Sequence, residues 1–219
     1  MSNLNAHTAR NYSTLATPML NPSWLTGFVE GEGCFSIIVT KNKNYKTALA
    51  VQLVFIIALH ERDQPVLILI KNCLGVGLIY RHSSRSIQLK VQSVKDFRVI
   101  INHFDKYPLI TKKLKDYLLF KEAFYLFSKK EYLTLEGLHK IIAIKASTNR
   151  GLSEELKLAF PHVVRVIRPA VSDSLVKDPH WLAGFTSVEG CFLIRIFKSK
   201  TNIGEAVQLI FKLTQHSRD

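Results

Sequence analysis

The chain has 219 residues, 47% of them apolar, enough for a real core in one large domain or two small ones, which excludes a disordered protein. Thirty basic residues against 17 acidic give a formal charge of +13, which favours a polyanionic partner without choosing among DNA, RNA, ribosome or acidic lipid. No apolar run reaches the roughly 18 residues of a membrane-spanning helix, so no membrane partner is expected.

Residues 1–20 hold Ser, Thr, Asn and Ala with one arginine, Arg10, and no acid. They read as a leader: a disordered arm, a weak transit-peptide pattern, or the join with an upstream reading frame. The next stretch, Asn21-Pro-Ser-Trp-Leu-Thr-Gly-Phe-Val-Glu-Gly-Glu-Gly-Cys-Phe35, recurs as Asp178-Pro-His-Trp-Leu-Ala-Gly-Phe-Thr-Ser-Val-Glu-Gly-Cys-Phe192, offset by 181 − 24 = 157 residues. Each copy opens like a helix, with Asn21 or Asp178 as N-cap and Pro22 or Pro179 in the first turn. Each is expected to close on a left-handed glycine, Gly33 or Gly190.

On a helical wheel Trp24, Gly27, Phe28 and Gly31 share one face, matched by Trp181, Gly184, Phe185 and Val188 in the second copy. Glycines on that face would let two such helices approach closely. Glu32 lies about 80° from Trp24 and recurs as Glu189; Glu30 lies about 240° round and is replaced by Ser187. A helix C-terminus disfavours an acid, and packing two such ends together compounds the cost. A divalent cation between the carboxylates would resolve it, and Mg²⁺ suits hard oxygen ligands. The bland alternative is a pair of solvated last-turn acids.

After the first motif, Phe35 to Thr40 alternates as a strand, the turn Lys41-Asn-Lys-Asn-Tyr-Lys46 follows, and Leu49 to His60 completes a hairpin. Asp63 to Leu74 reads as a helix ended by Gly75. Val76 to His82 and Ile87 to Gln92 form a second hairpin around Ser83-Ser-Arg85. From Val94 to Phe160 the pattern is helical, with aromatics such as Phe97, Phe104, Tyr117, Phe120 and Phe124 assigned to the core. Four segments are expected there, one through Phe97 to Phe104, one through Tyr117 to Phe127, then Leu135 to Ala146 and Ser153 to Phe160. The Pro-bearing stretch 161–177 reads as a linker between a first half, 21–160, and the start of a second, 178–219. In the second half, Val207 to Asp219 matches Val51 to Asp63 with offset 156, so one residue is missing from the intervening turn. Nothing corresponds to the segment after Asp63, and the second half therefore reads as incomplete. Cys34, Cys73 and Cys191 form no Cys-x-x-Cys pair; Cys34 and Cys191 read as small buried residues after their helices.

The segments Leu25-Thr-Gly-Phe-Val-Glu-Gly-Glu-Gly33 and Leu182-Ala-Gly-Phe-Thr-Ser-Val-Glu-Gly190 resemble the two motifs of a single-chain LAGLIDADG homing endonuclease of the kind encoded in fungal mitochondrial group I introns. The resemblance implies an α+β fold, each half αββαββα with a saddle-shaped antiparallel sheet, here with the second half truncated. It implies that Trp24, Gly27, Phe28, Gly31, Trp181, Gly184, Phe185 and Val188 form the helix interface. Glu32 and Glu189, with the carbonyls of Gly31 and Val188, would hold Mg²⁺ or another divalent cation. Gln215 would help order the attacking water, where the first copy has Leu59. A basic residue expected late in the fourth strand falls on Ser93, and Val188 replaces a small residue at the helix crossing.

The implied activity is site-specific, metal-dependent hydrolysis of both strands of double-stranded DNA at an intron insertion site, in the mitochondrion, by a chain that is monomeric when complete. In the second copy Arg195, Gln208, Lys212 and Thr214 fall opposite the apolar Ile194, Leu209, Phe211 and Leu213, which suits groove contact. The first copy offers mostly apolar Ile38, Val54, Ile56 and Ala58 there, with Ser36 and Thr40. Lys41, Lys43, Lys46, Arg81, Arg85, Lys90, Lys198 and Lys200 are assigned to phosphates. Two alternatives stand beside this: an intron-RNA maturase on the same scaffold, and an inactive DNA-binding remnant.

Overall fold

In a computed structural model, residues 20–171, 175–200 and 202–214 are described; the expectations for the leader and for Gln215 lie outside them. Helix α1 (Pro22–Glu32) leads into strands β1 (Gly33–Lys41) and β2 (Leu49–His60), then α2 (Gln64–Leu74), β3 (Leu78–Arg81) and β4 (Ser86–Val91). Helices α3 (Val94–Lys106), α4 (Lys113–Ser128), α5 (Leu135–Ser147) and α6 (Glu154–Ala159) follow. The pattern restarts with α7 (Pro179–Glu189), β5 (Gly190–Lys198) and β6 (Glu205–Leu213).

The capping residues act as their chemistry dictates. Asn21 Oδ1 accepts from the backbone N–H groups of Ser23 at 2.8 Å and Trp24 at 3.3 Å, and Asp178 Oδ1 accepts from His180 N at 2.9 Å. Ser93, Thr134 and Ser153 cap α3, α5 and α6 in the same way. Gly75 stops α2 in the left-handed region, with φ 69°. Gly33 and Gly190 do not: both are extended, with φ −77° and −81°. The strand begins at once, and the glycine is needed for room. An added Cβ at Gly33 would press on Val29, and one at Gly190 on Thr186.

The first four strands form one antiparallel sheet in the order β1-β2-β4-β3, with Phe35 opposite Phe55 and Ile57 opposite Leu89. Those side chains, with Ile37, Val39, Val51, Leu53 and Val91, face a helical layer supplied by α3, α4 and α5. The aromatic periodicity resolves as core. The Phe35 ring lies 5.1–5.6 Å from those of Phe55, Phe104, Tyr117 and Phe120. The third strand is shorter than its apolar run, because Val76 packs against the core ahead of the ladder and Gly77 turns the chain at φ 87°.

Strands β5 and β6 form a separate two-stranded sheet, Gly190 pairing with Leu213 and Lys198 with Glu205. Phe192, Ile194, Ile196, Val207, Leu209, Phe211 and Leu213 all lie on one face and are all exposed, Phe192 by 77%. Their first-half counterparts are buried under α3–α5; among the described residues no helical layer covers this hairpin. Cys191 is exposed and Cys34 only half-buried, against the expectation of burial, because both project from the face opposite the apolar one.

Candidate active site and nucleic-acid face

The two repeated helices meet along the face the wheel assigned to them. Trp181 and Phe185 are 8% and 5% exposed, buried in the contact between α1 and α7. The fit is backbone to backbone. A Cβ added at Gly27 would overlap the carbonyl oxygen of Trp181, and one at Gly184 that of Trp24, so each glycine receives the first turn of the other helix. Val188 is not an obstacle: the space above Gly31 is filled by a Val188 methyl, so one bulky and one absent side chain replace two small ones.

This crossing brings the repeated acids together at the helix ends. Glu189 Oε1 lies 3.3 Å from the Cβ position of Gly31, the residue preceding Glu32. Both acids reach solvent. Partial burial holds the Glu32 pKa above the ordinary carboxylate range; Lys113 opposes that shift, and Glu189 and then Asp63 add to it. Among the described residues no cluster of three or more His, Cys, Asp or Glu side chains forms. A cation at the crossing would meet hard oxygen donors, the two carboxylates and the carbonyls of the helix ends, a donor chemistry that fits a divalent cation such as Mg²⁺.

Lys113 is the site residue that sequence reasoning missed. Its ammonium donates to the carbonyls of Val29 at 2.9 Å, Gly31 at 3.0 Å and Gly33 at 2.7 Å, capping the C-terminal end of α1. Burial pulls its pKa below the usual lysine range, while Glu30 and other acids pull it up. The Gly31 carbonyl thus accepts one bond from Lys113, and a carbonyl oxygen has two lone pairs. A signal was available: Lys112, Lys113 and Lys115 crowd the N-terminus of α4, where the helix dipole repels cations.

Glu30 explains how Lys113 is held. It is buried at 6% exposure, and its carboxylate accepts from Ile110 N at 2.6 Å, Thr111 N at 3.1 Å and Thr111 Oγ1 at 2.5 Å. Burial outweighs these bonds and lifts its pKa. The motif's two acids therefore divide their work: Glu30 anchors the loop before α4, and Glu32 borders the helix crossing. Ser187, in the place of Glu30, donates to Ala183 O of its own helix at 2.8 Å.

The open face of the first sheet carries Cys34, Ser36, Ile38 and Thr40 from β1, Gln52, Val54, Ile56 and Ala58 from β2, Lys90 and Gln88 from β4, and Tyr80 from β3. Gln52, opposite Ile38, and Gln88 add amides that the sequence reading overlooked. On β5–β6 the register places Arg195 opposite Gln208 and Cys191 opposite Lys212, and Thr214 follows on that side. Lys43 and Lys46 sit in the β1–β2 turn, Arg85 in the β3–β4 turn, and Lys200 in the β5–β6 turn.

Three assigned phosphate contacts are placed otherwise. Lys41 shares the core side of β1 and pairs with Glu155 of α6 at 2.6 Å. Arg81 stands opposite Ile87, on the covered side, and donates to Glu61 at 2.9 Å. Lys198 lies with Glu205 on the apolar side of its hairpin. Each is an end-of-strand residue whose parity turns it away from the open face. Leu59 packs against the core, and Ser93 is the cap of α3.

Two glycine-faced helices that cross at an acid pair, each starting a β-hairpin, define a paired-motif scaffold. The family model described as LAGLIDADG endonuclease matches residues 25–124 and 182–219, and the chain belongs to that family. It is 39% identical over 209 residues to "Probable intron-encoded endonuclease 3" of Neurospora crassa, covering 94% of this chain and 39% of that protein. It is 37% identical to "Probable intron-encoded endonuclease 2" of the same organism, covering 91% of this chain and 46% of that one. This chain thus spans less than half the length of either relative. Among solved structures it resembles the LAGLIDADG meganuclease I-CpaMI bound to uncleaved DNA, with TM-score 0.83 and 43% identity over 87% of this chain and 66% of that one. It also resembles I-SmaMI bound to an uncleaved DNA target in the presence of calcium ions, with TM-score 0.88 and 41% identity over 91% and 69%.

Proposed function

We propose that this chain is the DNA-recognising and cutting part of an intron-encoded homing endonuclease that hydrolyses both strands of double-stranded DNA at an intron insertion site. The observation that carries the reading is the mutual burial of Gly27 and Gly184 against the partner helix, which sets Glu32 and Glu189 at one spot. Folding alone does not ask for two acids and two negative helix ends there. Glu32, Glu189 and the carbonyls of Gly31 and Val188 would hold a divalent cation such as Mg²⁺, which supplies an activated water and neutralises the departing 3′ oxygen. Lys113 fixes the carbonyl end of α1, and with it the direction in which Glu32 points. Ser36, Thr40, Gln52, Lys90, Arg195, Gln208, Lys212 and Thr214 offer hydrogen bonds to a groove, and Lys43, Lys46, Arg85 and Lys200 offer charge to phosphates. Relatives named for ND4 and cox1 introns support a mitochondrial setting.

The test is cleavage of the intronless host sequence with Mg²⁺. A double-strand break is expected, Glu32→Gln or Glu189→Gln should abolish it, and both variants should keep DNA binding. Cutting that survives either substitution would overturn the assignment, and intron splicing that survives both would favour a maturase.

A further inference from the structure

The free edge of β1 borders a cavity of about 580 Å³ that runs from Gly31 and Glu32 past Lys113 to Lys145 and the turn 148–153. That edge is closed to another strand. Lys113 donates to the carbonyl of Gly33 and Lys145 to that of Ile37 at 2.8 Å. The turn is rigidly placed: Gly151 adopts φ 60° and donates to Thr148 O at 3.0 Å, and Asn149 N donates to Asp116 Oδ1 at 3.0 Å. Asp116 is itself engaged by Arg168 at 2.9 Å. Arg150 is exposed on this pinned turn, and among the described residues neither Arg150 nor Lys145 pairs with an acid. Burial, and then the charge of Arg150, hold the Lys145 ammonium below its usual pKa. Two neighbouring cations thus line a half-open cavity whose nearest acid, Asp116, is already engaged by Arg168 and the Asn149 N–H, an arrangement that costs stability until an anion arrives.

We propose that Lys145 and Arg150 form a seat for one backbone phosphate of bound DNA, holding the strand in register with Glu32 at the other end of the same cavity. The inference rests on the nuclease reading and adds positioning residues off the sheet face. Phosphate is the fitting ligand because the turn offers charge and N–H or hydroxyl donors but no shape that would read a base.

The test uses the full chain and a 30-base-pair duplex of random sequence, with affinity followed by fluorescence anisotropy from roughly 50 to 200 mM KCl. Arg150→Gln should reduce the salt slope by about one, so that its affinity falls about 3.5-fold less than wild type across that range. Arg150→Lys should keep the wild-type slope. Lys129→Gln, which removes the same charge about 24 Å along α4 from Lys113, should leave it unchanged. An unaltered slope in Arg150→Gln, or an equal reduction in Lys129→Gln, overturns the seat while leaving the nuclease reading intact. Failure of the wild-type chain to bind any duplex overturns both.

Discussion

Replacing Gly27 with alanine tests the helix crossing directly. Besides overlapping the Trp181 carbonyl oxygen, the new Cβ would stand 2.8 Å from Trp181 C and 2.9 Å from Phe185 N, all backbone atoms that cannot rotate away. Ordinary carbon contacts need about 3.5–4.0 Å, so the axes must part by about 1 Å. A gap of that size forfeits roughly a quarter to a half of the dispersion at every contact along the seam, and with overpacking strain the cost is about 2–3 kcal/mol. The chain's only two tryptophans, Trp24 and Trp181, both sit on this seam, so intrinsic emission reports it specifically. Gly27→Ala should shift emission to the red and expose α7, whose Trp181 and Phe185 the crossing buries, to protease. Far-UV circular dichroism should change little, because the first-half core is untouched. Gly31→Ala should cost less, since the atom it meets is a Val188 methyl, and Val188→Ala should rescue it. If Gly27→Ala left emission and proteolysis as in wild type, the close crossing, and the acid pair it creates, would be refuted.

Lys113→Met would take the ammonium away from the carbonyls of Val29, Gly31 and Gly33, of which Val29 keeps the Gly33 N–H, and should lower stability by about 1.5–3 kcal/mol in denaturant titrations; an unchanged midpoint would contradict the buttress. His103, hydrogen-bonded to Thr26 Oγ1 at 3.1 Å, has its pKa lowered by burial to about 4. The unfolded chain therefore takes up that proton first as pH falls from about 6.5, so the stability present above that pH is lost toward pH 4, by roughly 2–3 kcal/mol. His103→Gln should flatten this part of the pH–stability curve. The exposed apolar face of β5–β6 should bind an environment-sensitive dye such as ANS, and Phe192→Ser with Phe211→Ser should remove most of the signal without altering the Trp24 environment.

Local chemistry was legible in the sequence wherever it repeated or alternated. The duplicated motif located α1 and α7, the caps located their first turns, and the period of two separated Arg195 and Gln208 from Leu209 and Phe211. What escaped depends on contacts between distant segments. Glu30 and Thr111 are 81 residues apart, and no spacing rule links them, so the second acid of the motif looked idle. Lys113 was one lysine among many until the loop before α4 folded back onto α1. The glycine after each acid suggested a left-handed cap because the competing demand, room beside Val29 or Thr186, appears only once the strand starts. Lys41, Arg81 and Lys198 lie off the open face for a simpler reason: at a strand end, one residue of register decides the face.

The 157-residue spacing between Trp24 and Trp181 also bears on synthesis. At about 5–20 residues per second, α1 leaves the ribosome roughly 8–30 seconds before the helix that covers it. During that interval a nascent chain displays a groove lined by Trp24, Gly27 and Phe28 that is shaped to accept a near-copy of itself. Neighbouring polysomal chains carry the same groove, so faithful assembly depends on α7 arriving before another molecule's α1 does.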